Sequence, residues 1–182
     1  TFDLKIDSYA SAEAQVSSLA DDIAYNNHDI DDGLRAGLFS LHDLENLPII
    51  GSVIREVKEL YGEQLEISRM SNEVLRRTIN FMVSDVINET NNQLKAYNIS
   101  NVDDIRNNPE SIVSFSNKML SDNIIIKKFL YDNMYMHHSV NKMTKNAKHV
   151  VKYLFKLLND KKDILPLEWR SKITNNQEKD SS

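Results

Sequence analysis

Several residue types are absent or scarce in this chain of 182 residues, and each shortage excludes a class of protein. Cysteine is absent, which excludes a disulfide scaffold, a zinc site built on thiolates, and thiol catalysis. Four glycines and three prolines are too few for the many turns of a β-sandwich or a β-barrel. The remaining composition, 41% hydrophobic and 27% charged, is typical of a folded globular protein, and we predict an all-α fold.

Long apolar runs are also missing from the chain. No stretch approaches the roughly 20 apolar residues that a membrane-spanning helix needs, and no signal-like segment opens the sequence. We therefore expect no membrane partner and a cytoplasmic location.

Charges of opposite sign collect in two segments. Residues 1–45 hold ten acidic residues against Lys5 and Arg35, whereas residues 118–162 hold ten lysines against three aspartates. The simpler interpretation is two solvated surfaces of opposite charge. The alternative is a cation site at one end and an anion site at the other, which a metal-dependent enzyme acting on a phosphorylated substrate requires.

Apolar residues recur at steps of three and four along most of the chain, which predicts helices over most of residues 12–160. The expected segments are 12–30, followed by a bend or an interruption at Asp32-Gly33, then 49–61, 65–97, 111–120, 121–138 and a last helix that ends near Asn159. In the last helix, lysines and apolar residues fill opposite sectors, which indicates a solvated lysine face, with nucleic-acid contact as the less favoured alternative. We predict one helical domain over residues 1–170 and a polar, frayed tail over residues 171–182.

The densest polar cluster is ADDIAYNNHDIDDG, residues 20–33. Within it, Asp21, Tyr25 and Asp29 are spaced by four, and each step of four advances roughly 40° around a helix, so the three form one ridge. Two carboxylates that flank a phenol suit a divalent metal at one end and a hydroxylated ligand at the other. We predict that this ridge projects into a concave region. The alternative is an acidic helix face exposed to water.

Four segments, taken together, resemble one known family. They are EAQVSSLADDIAYNNHDIDDGLRAGLF (13–39), RRTINFMVSDVINET (76–90), KKFLYDNMYMHHSVNKM (127–143) and LPLEW (165–169). In this order and over nearly the whole chain, they resemble the bacterial deoxyguanosinetriphosphate triphosphohydrolase-like proteins of the HD-domain superfamily. The resemblance implies a helical bundle of the HD-domain type. It also implies metal-dependent hydrolysis of a deoxynucleoside triphosphate to deoxynucleoside and tripolyphosphate.

The resemblance assigns roles to the ridge on the first helix. It implies that Asp21 is a ligand of a divalent metal such as Mg²⁺ or Mn²⁺. It also implies that Tyr25 and Asp29 contact the deoxyribose. These roles agree with the ridge that the spacing alone predicts.

Later residues carry weaker implications. Tyr135 and His137 resemble the family's Tyr-x-His element beside the nucleotide, and Lys127 lies where a basic phosphate contact is often found. We therefore expect Tyr135 to approach the ridge from the later helix. The alternatives are a half-buried aromatic side chain for Tyr135 and a solvated charge for Lys127. His28 and Asp29 look like a His-Asp dyad, but the family's dyad lies on an earlier helix, so we interpret His28 as a polar helix residue.

The family's first His, its His-Asp dyad and its catalytic acid and base have no counterpart in these residues. We therefore expect the C-terminal portion of such a protein, with no catalytic residue of its own and no activity alone. The expected partners are a deoxynucleoside triphosphate and either a second copy or the missing N-terminal segment. The alternative function is a non-catalytic helical module for interaction or nucleotide binding.

Overall fold

The computed structural model describes residues 7–62 and 65–170. The chain divides into two units, residues 1–135 and residues 136–182. The described residues form helices and contain no strand, which confirms the predicted all-α fold class. The predicted polar tail, residues 171–182, lies outside the described residues.

Helices that pack in pairs build the first unit. Its long helix α4 (Ile67–Ala96) packs against α1 (Ala12–Arg35) and α3 (Ile50–Tyr61), and α6 (Asn117–Leu130) packs against α1. A π-helical turn extends α6 to the end of the unit. The elements are α1 (Ala12–Arg35), α2 (Leu41–Leu44), α3 (Ile50–Tyr61), α4 (Ile67–Ala96), α5 (Val102–Asn107), α6 (Asn117–Leu130) and the π turn (Tyr131–Tyr135).

The core of the first unit draws apolar side chains from α1, α2, α3, α4 and α6, because each of these helices buries one apolar stripe. Phe39, in the loop after α1, packs edge-to-face on Phe129 of α6, with ring centroids 5.1 Å apart. Fully buried apolar residues include Ile30, Leu44, Ile50, Ile54, Val57, Val74, Met82, Ile126 and Leu130.

Helix α1 runs without interruption through Gly33, so the predicted bend there is wrong. Gly33 is buried, and a Cβ at this position would lie 2.2 Å from Cζ of Phe39, which shows that the ring packs directly on the helix backbone. The helix ends at a Schellman motif instead. The N–H of Leu38 donates to the carbonyl of Gly33 at 3.0 Å, and that of Gly37 donates to Leu34 at 3.2 Å. Gly37 has a φ of 65°, which glycine adopts without strain.

The predicted helix boundary at Ser121 is also wrong, because α6 begins at Asn117 and continues through Ser121. Ser116 is the N-cap, and its Oγ accepts the N–H of Met119 at 3.2 Å. The N–H and hydroxyl of Ser116 also donate to Asp85 of α4 at 2.9 and 2.7 Å, which attaches the start of α6 to α4. The hydroxyl of Ser121 donates to the carbonyl of Asn117 at 3.0 Å, a bond inside the helix that caps nothing.

The link from α2 to α3 is tight. The N–H of Ile50 donates to the carbonyl of Pro48 at 2.7 Å, so the intervening Ile49 is the centre of a γ-turn, with φ 65° and ψ −65°. A Cβ on Gly51 would lie 2.0 Å from the carbonyl oxygen of Glu45, so only glycine fits at the first turn of α3.

The second unit contains α7 (His138–Asp160) and a 3₁₀ turn (Lys162–Ile164). No residue of α7 is buried. The lysines of its predicted lysine face are all exposed, namely Lys142, Lys145, Lys148, Lys152 and Lys156. Within the described parts of the chain, no helix combines the length and the apolar character that crossing a membrane requires.

Candidate functional site

The three ridge residues lie on one side of α1, as their spacing predicts. Asp21 is exposed, Tyr25 is 64% exposed, and Asp29 is half-buried. Asp21 and Tyr25 do not line the groove between α1 and α4, and they do not line a second groove beside the loop after α1. The predicted projection of the ridge into a concave region stays a prediction.

The π turn after α6 brings Tyr135 to the ridge. The hydroxyl of Tyr135 donates a hydrogen bond to Oδ2 of Asp29, a residue 106 positions earlier in the chain. The predicted approach of Tyr135 to the ridge is confirmed, while its contact with a nucleotide stays a prediction. This hydrogen bond, then partial burial and the negative charge of Asp29, raise the pKa of Tyr135 to about 12.

Two further polar contacts attach α1 to α6. Nζ of Lys127 lies 3.1 Å from Oδ2 of Asp22, and both side chains are about half exposed. Nδ2 of Asn26 donates to Oδ1 of Asn123 at 2.9 Å in a buried position. An exposed ion pair contributes roughly 0–1 kcal/mol, so a stronger anion can displace Asp22 from Lys127. The predicted phosphate contact of Lys127 stays a prediction.

The sequence interpretation missed Asp22, Asn26 and Asn123. A signal for the first two is present, because Asp22, Asn26 and Asp29 follow one another by four and three residues and so line one stripe of α1. A buried pair of amides is satisfied in only a few relative placements of two helices, so it fixes how α1 meets α6. No sequence signal identifies Asn123 as the partner, since it lies 97 residues from Asn26.

His28 and His137, the two histidines considered in the sequence analysis, have different surroundings. His137 belongs to the second unit, where it caps α7 and its Nδ1 accepts the N–H of Ser139 at 3.3 Å. Its predicted contact with a nucleotide stays a prediction. His28 is exposed on α1 and lines the groove between α1 and α4.

The ridge alone does not make a metal centre. Within residues 7–62 and 65–170, no three His, Asp or Glu side chains converge on a point that a metal ion could occupy. Asp21 offers a single carboxylate, whereas protein sites for divalent cations use several oxygen or nitrogen ligands. The described residues therefore do not fit a complete metal site.

Comparison with known proteins relates these residues to a family. The family model described as "Phosphohydrolase-associated domain" matches residues 113–182. A Parvibaculum lavamentivorans protein named "Deoxyguanosinetriphosphate triphosphohydrolase-like protein" is 43% identical over 171 residues, which cover 94% of this chain. Proteins with that name from Caulobacter sp. strain K31 and Caulobacter vibrioides are 40% identical over 178 and 177 residues. The chain is a homologue of these triphosphohydrolase-like proteins.

The homology confirms the family resemblance that the four sequence segments indicate. The chain spans 43% of the length of the Parvibaculum relative and 45% of each Caulobacter relative, so more than half of each relative has no counterpart here. The phosphohydrolase-associated match includes Lys127, Tyr135 and His137, whereas the ridge on α1 precedes it.

Proposed function

We propose that this chain forms part of the active site of a triphosphohydrolase that converts a deoxynucleoside triphosphate, with dGTP as the first candidate, to deoxynucleoside and tripolyphosphate. The observation that carries the proposal is the hydrogen bond between Tyr135 and Asp29. It joins two segments, far apart in the chain, that both resemble substrate-contacting segments of the family. The names of the homologues support the reaction class.

In this proposal, Tyr25, Asp29 and Tyr135 hold the sugar. An ionised carboxylate only accepts hydrogen bonds, so Asp29 accepts one from Tyr135 and has further capacity for a sugar hydroxyl. The phenol of Tyr135, whose pKa is raised further above neutral pH by Asp29, is protonated at neutral pH and remains a donor. Tyr25 is exposed beside them and can donate to, or accept from, the same ligand. The contribution of these groups is alignment of the substrate.

Within the first unit, Lys127 is proposed to contact the phosphates of the substrate. Its ammonium group is held near the ridge by Asp22, which carries one negative charge on a half-exposed side chain. A triphosphate carries several negative charges and competes for the same ammonium group. His137 is proposed as a further nucleotide contact on the ground of the Tyr-x-His resemblance alone.

Asp21 is proposed as one ligand of a divalent metal whose other ligands lie outside this chain's described residues. Because a single carboxylate does not hold such a metal, no catalytic step is assigned to a metal in this chain. The chain alone is therefore proposed to be inactive. The part of the homologues that has no counterpart here supplies the remaining ligands and the groups that move protons.

A chimera tests this function. In it, the matched part of the Parvibaculum relative is replaced by this chain, and release of tripolyphosphate from dGTP is measured with Mn²⁺ or Mg²⁺. We expect activity from the chimera and none from the chain alone. In the chimera, Asp21→Ala should lower both the activity and the affinity for Mn²⁺ by about 100-fold or more. Asp103→Ala, which changes an exposed aspartate on α5, is the matched control and should leave both unchanged.

Two results would contradict the proposal. One is robust release of tripolyphosphate by the chain alone. The other is an active chimera in which Asp21→Ala behaves like Asp103→Ala. The second candidate function, a non-catalytic interaction module, is favoured by the apolar groove between α1 and α4, and a folded but inactive chimera would support it.

A further inference from the structure

A long apolar groove of about 730 Å³ lies between α1 and α4. Its lining on α1 extends from Val16 to Asp31, a distance of roughly 22 Å at 1.5 Å per residue. A cavity of this length is shaped for a helix lying along the two helices that form it. Its apolar lining includes Val16, Ala20, Ala24, Ile79, Val83 and Ile87.

Two buried polar atoms that lack a partner belong to residues lining this groove. Asn27 is 3% exposed, and its Nδ2 donates to the carbonyl of Ile23 at 2.8 Å and contacts Sδ of Met82 at 3.7 Å. Oδ1 of Asn27 and Oγ1 of Thr90 have no hydrogen-bond partner within the described parts of the chain. Buried polar atoms in folded proteins nearly always have partners, so these two leave this part of α1 and α4 incompletely hydrogen-bonded within the described chain.

We propose that this groove binds an amphipathic helix from the part of the homologous proteins that this chain does not match. The chain covers 43% of the Parvibaculum relative, so that part is long enough to contain such a helix several times over. A third helix laid along two packed helices buries their shared apolar stripe. Its apolar side chains fill the groove and cover lining residues that are exposed in this chain, such as Val16 at 50% and Ile87 at 55%.

The groove lies beside the ridge. Ala20 and Ala24 line the groove, and Asp21 and Tyr25 each follow one position later, which is roughly 100° further around α1. A helix bound in the groove therefore lies next to Asp21, where the proposed function requires further metal ligands. The inference rests on the proposed function in this respect, since the same part of the homologues supplies both.

Thermal unfolding of the chain and of the chimera, in EDTA and without nucleotide, tests the inference. Ile87 lines the groove and is 55% exposed, whereas Ile124 lies on α6 outside it and is 67% exposed. We compare Ile87→Asp with its matched control, Ile124→Asp. In the isolated chain, both variants should keep the parent Tm to within about 2 °C, because both carboxylates remain in water. In the chimera, Ile87→Asp should lower the Tm by about 5 °C or more, while Ile124→Asp should not.

Three results would overturn the inference. The first is an equal effect of the two variants on the chimera. The second is an Ile87→Asp variant that destabilises the isolated chain as much as the chimera. The third is a dimer of the isolated chain, seen by light scattering, that Ile87→Asp dissociates, because a second copy would then cover the groove. The unfolding experiment contains neither metal nor substrate, so its result does not depend on enzymatic activity. A chimera that is inactive but shows the expected difference in Tm between the two variants supports the docking site and contradicts only the enzymatic proposal.

Discussion

Two threonines on α4 allow a direct test of the unpartnered hydroxyl in the groove. Oγ1 of Thr90 is buried and has no hydrogen-bond partner among the described residues. Thr78 is also buried, but its hydroxyl donates to the carbonyl of Val74 at 2.8 Å. Valine has nearly the shape of threonine, so Thr90→Val and Thr78→Val remove a hydroxyl of each kind from the same helix.

The expected effects have opposite signs. A buried hydroxyl without a partner costs roughly 1–3 kcal/mol, so Thr90→Val should raise the free energy of unfolding of the isolated chain by about 1 kcal/mol. A typical satisfied hydrogen bond contributes roughly 0.5–1.5 kcal/mol, so Thr78→Val should lower it by about 1 kcal/mol. Threonine and valine have similar helix propensities, so the backbone contributes little to the difference. The two variants should therefore differ by about 2 kcal/mol.

Urea denaturation followed by far-ultraviolet circular dichroism measures this difference. The m-values should agree among the parent and the variants, so that a change in midpoint reports a change in stability. In thermal unfolding, the two variants should differ in Tm by about 4–8 °C, since 1 kcal/mol corresponds to roughly 2–4 °C in a chain of this size. Equal destabilisation by both substitutions would refute the reasoning, because it would mean that the hydroxyl of Thr90 has a partner in solution.

Two further predictions concern the ridge contact and the link from α2 to α3. Tyr135→Phe removes the hydrogen bond to Asp29. Because the pKa of Tyr135 is raised to about 12 in the folded chain, this bond stabilises the chain fully below the unfolded pKa, about 10, and its effect is lost as the pH rises from 10 to 12. Urea denaturation at several pH values should thus show a destabilisation by Tyr135→Phe that is constant near neutrality and vanishes near pH 12; a constant difference throughout would contradict it. Gly51→Ala should lower the free energy of unfolding by about 2 kcal/mol or more, because its Cβ would lie 2.0 Å from the backbone oxygen of Glu45. Ser52→Ala, at the exposed neighbouring position, is the control, and similar midpoints in urea for the two variants would show that the link adjusts freely.

Local periodicity predicts the helices of this chain well, because each helix of the first unit's core must bury one apolar stripe and the stripe repeats every 3.6 residues. Their ends depend on residues that are distant in sequence. Gly33 signals a bend when considered alone, but the ring of Phe39 packs on it and the helix continues. Ser116, and not Ser121, belongs to the start of α6, because Asp85 of α4 binds both its N–H and its hydroxyl.

The same distinction applies to the candidate site. Spacing predicts that Asp21, Tyr25 and Asp29 share one side of α1, since that is a property of the helix itself. Which side of α1 its neighbours cover depends on α4 and α6, and periodicity does not specify it. Family resemblance, and not any local pattern, predicts that Tyr135 approaches this ridge, and the bond between Tyr135 and Asp29 agrees with it.

The contacts between α1 and α6 also change the interpretation of the charge asymmetry. The sequence suggests either two solvated surfaces or a cation site and an anion site at opposite ends. In the structure, Asp22 from the acidic segment and Lys127 from the basic segment lie 3.1 Å apart, next to the ridge that carries Asp21 and Asp29. A metal-bound triphosphate needs carboxylates for the cation and an ammonium group for the phosphates within one ligand's reach. In the proposed function, these groups at the junction of α1 with α6 form one composite site for the metal and the phosphates, and not two sites at separate ends.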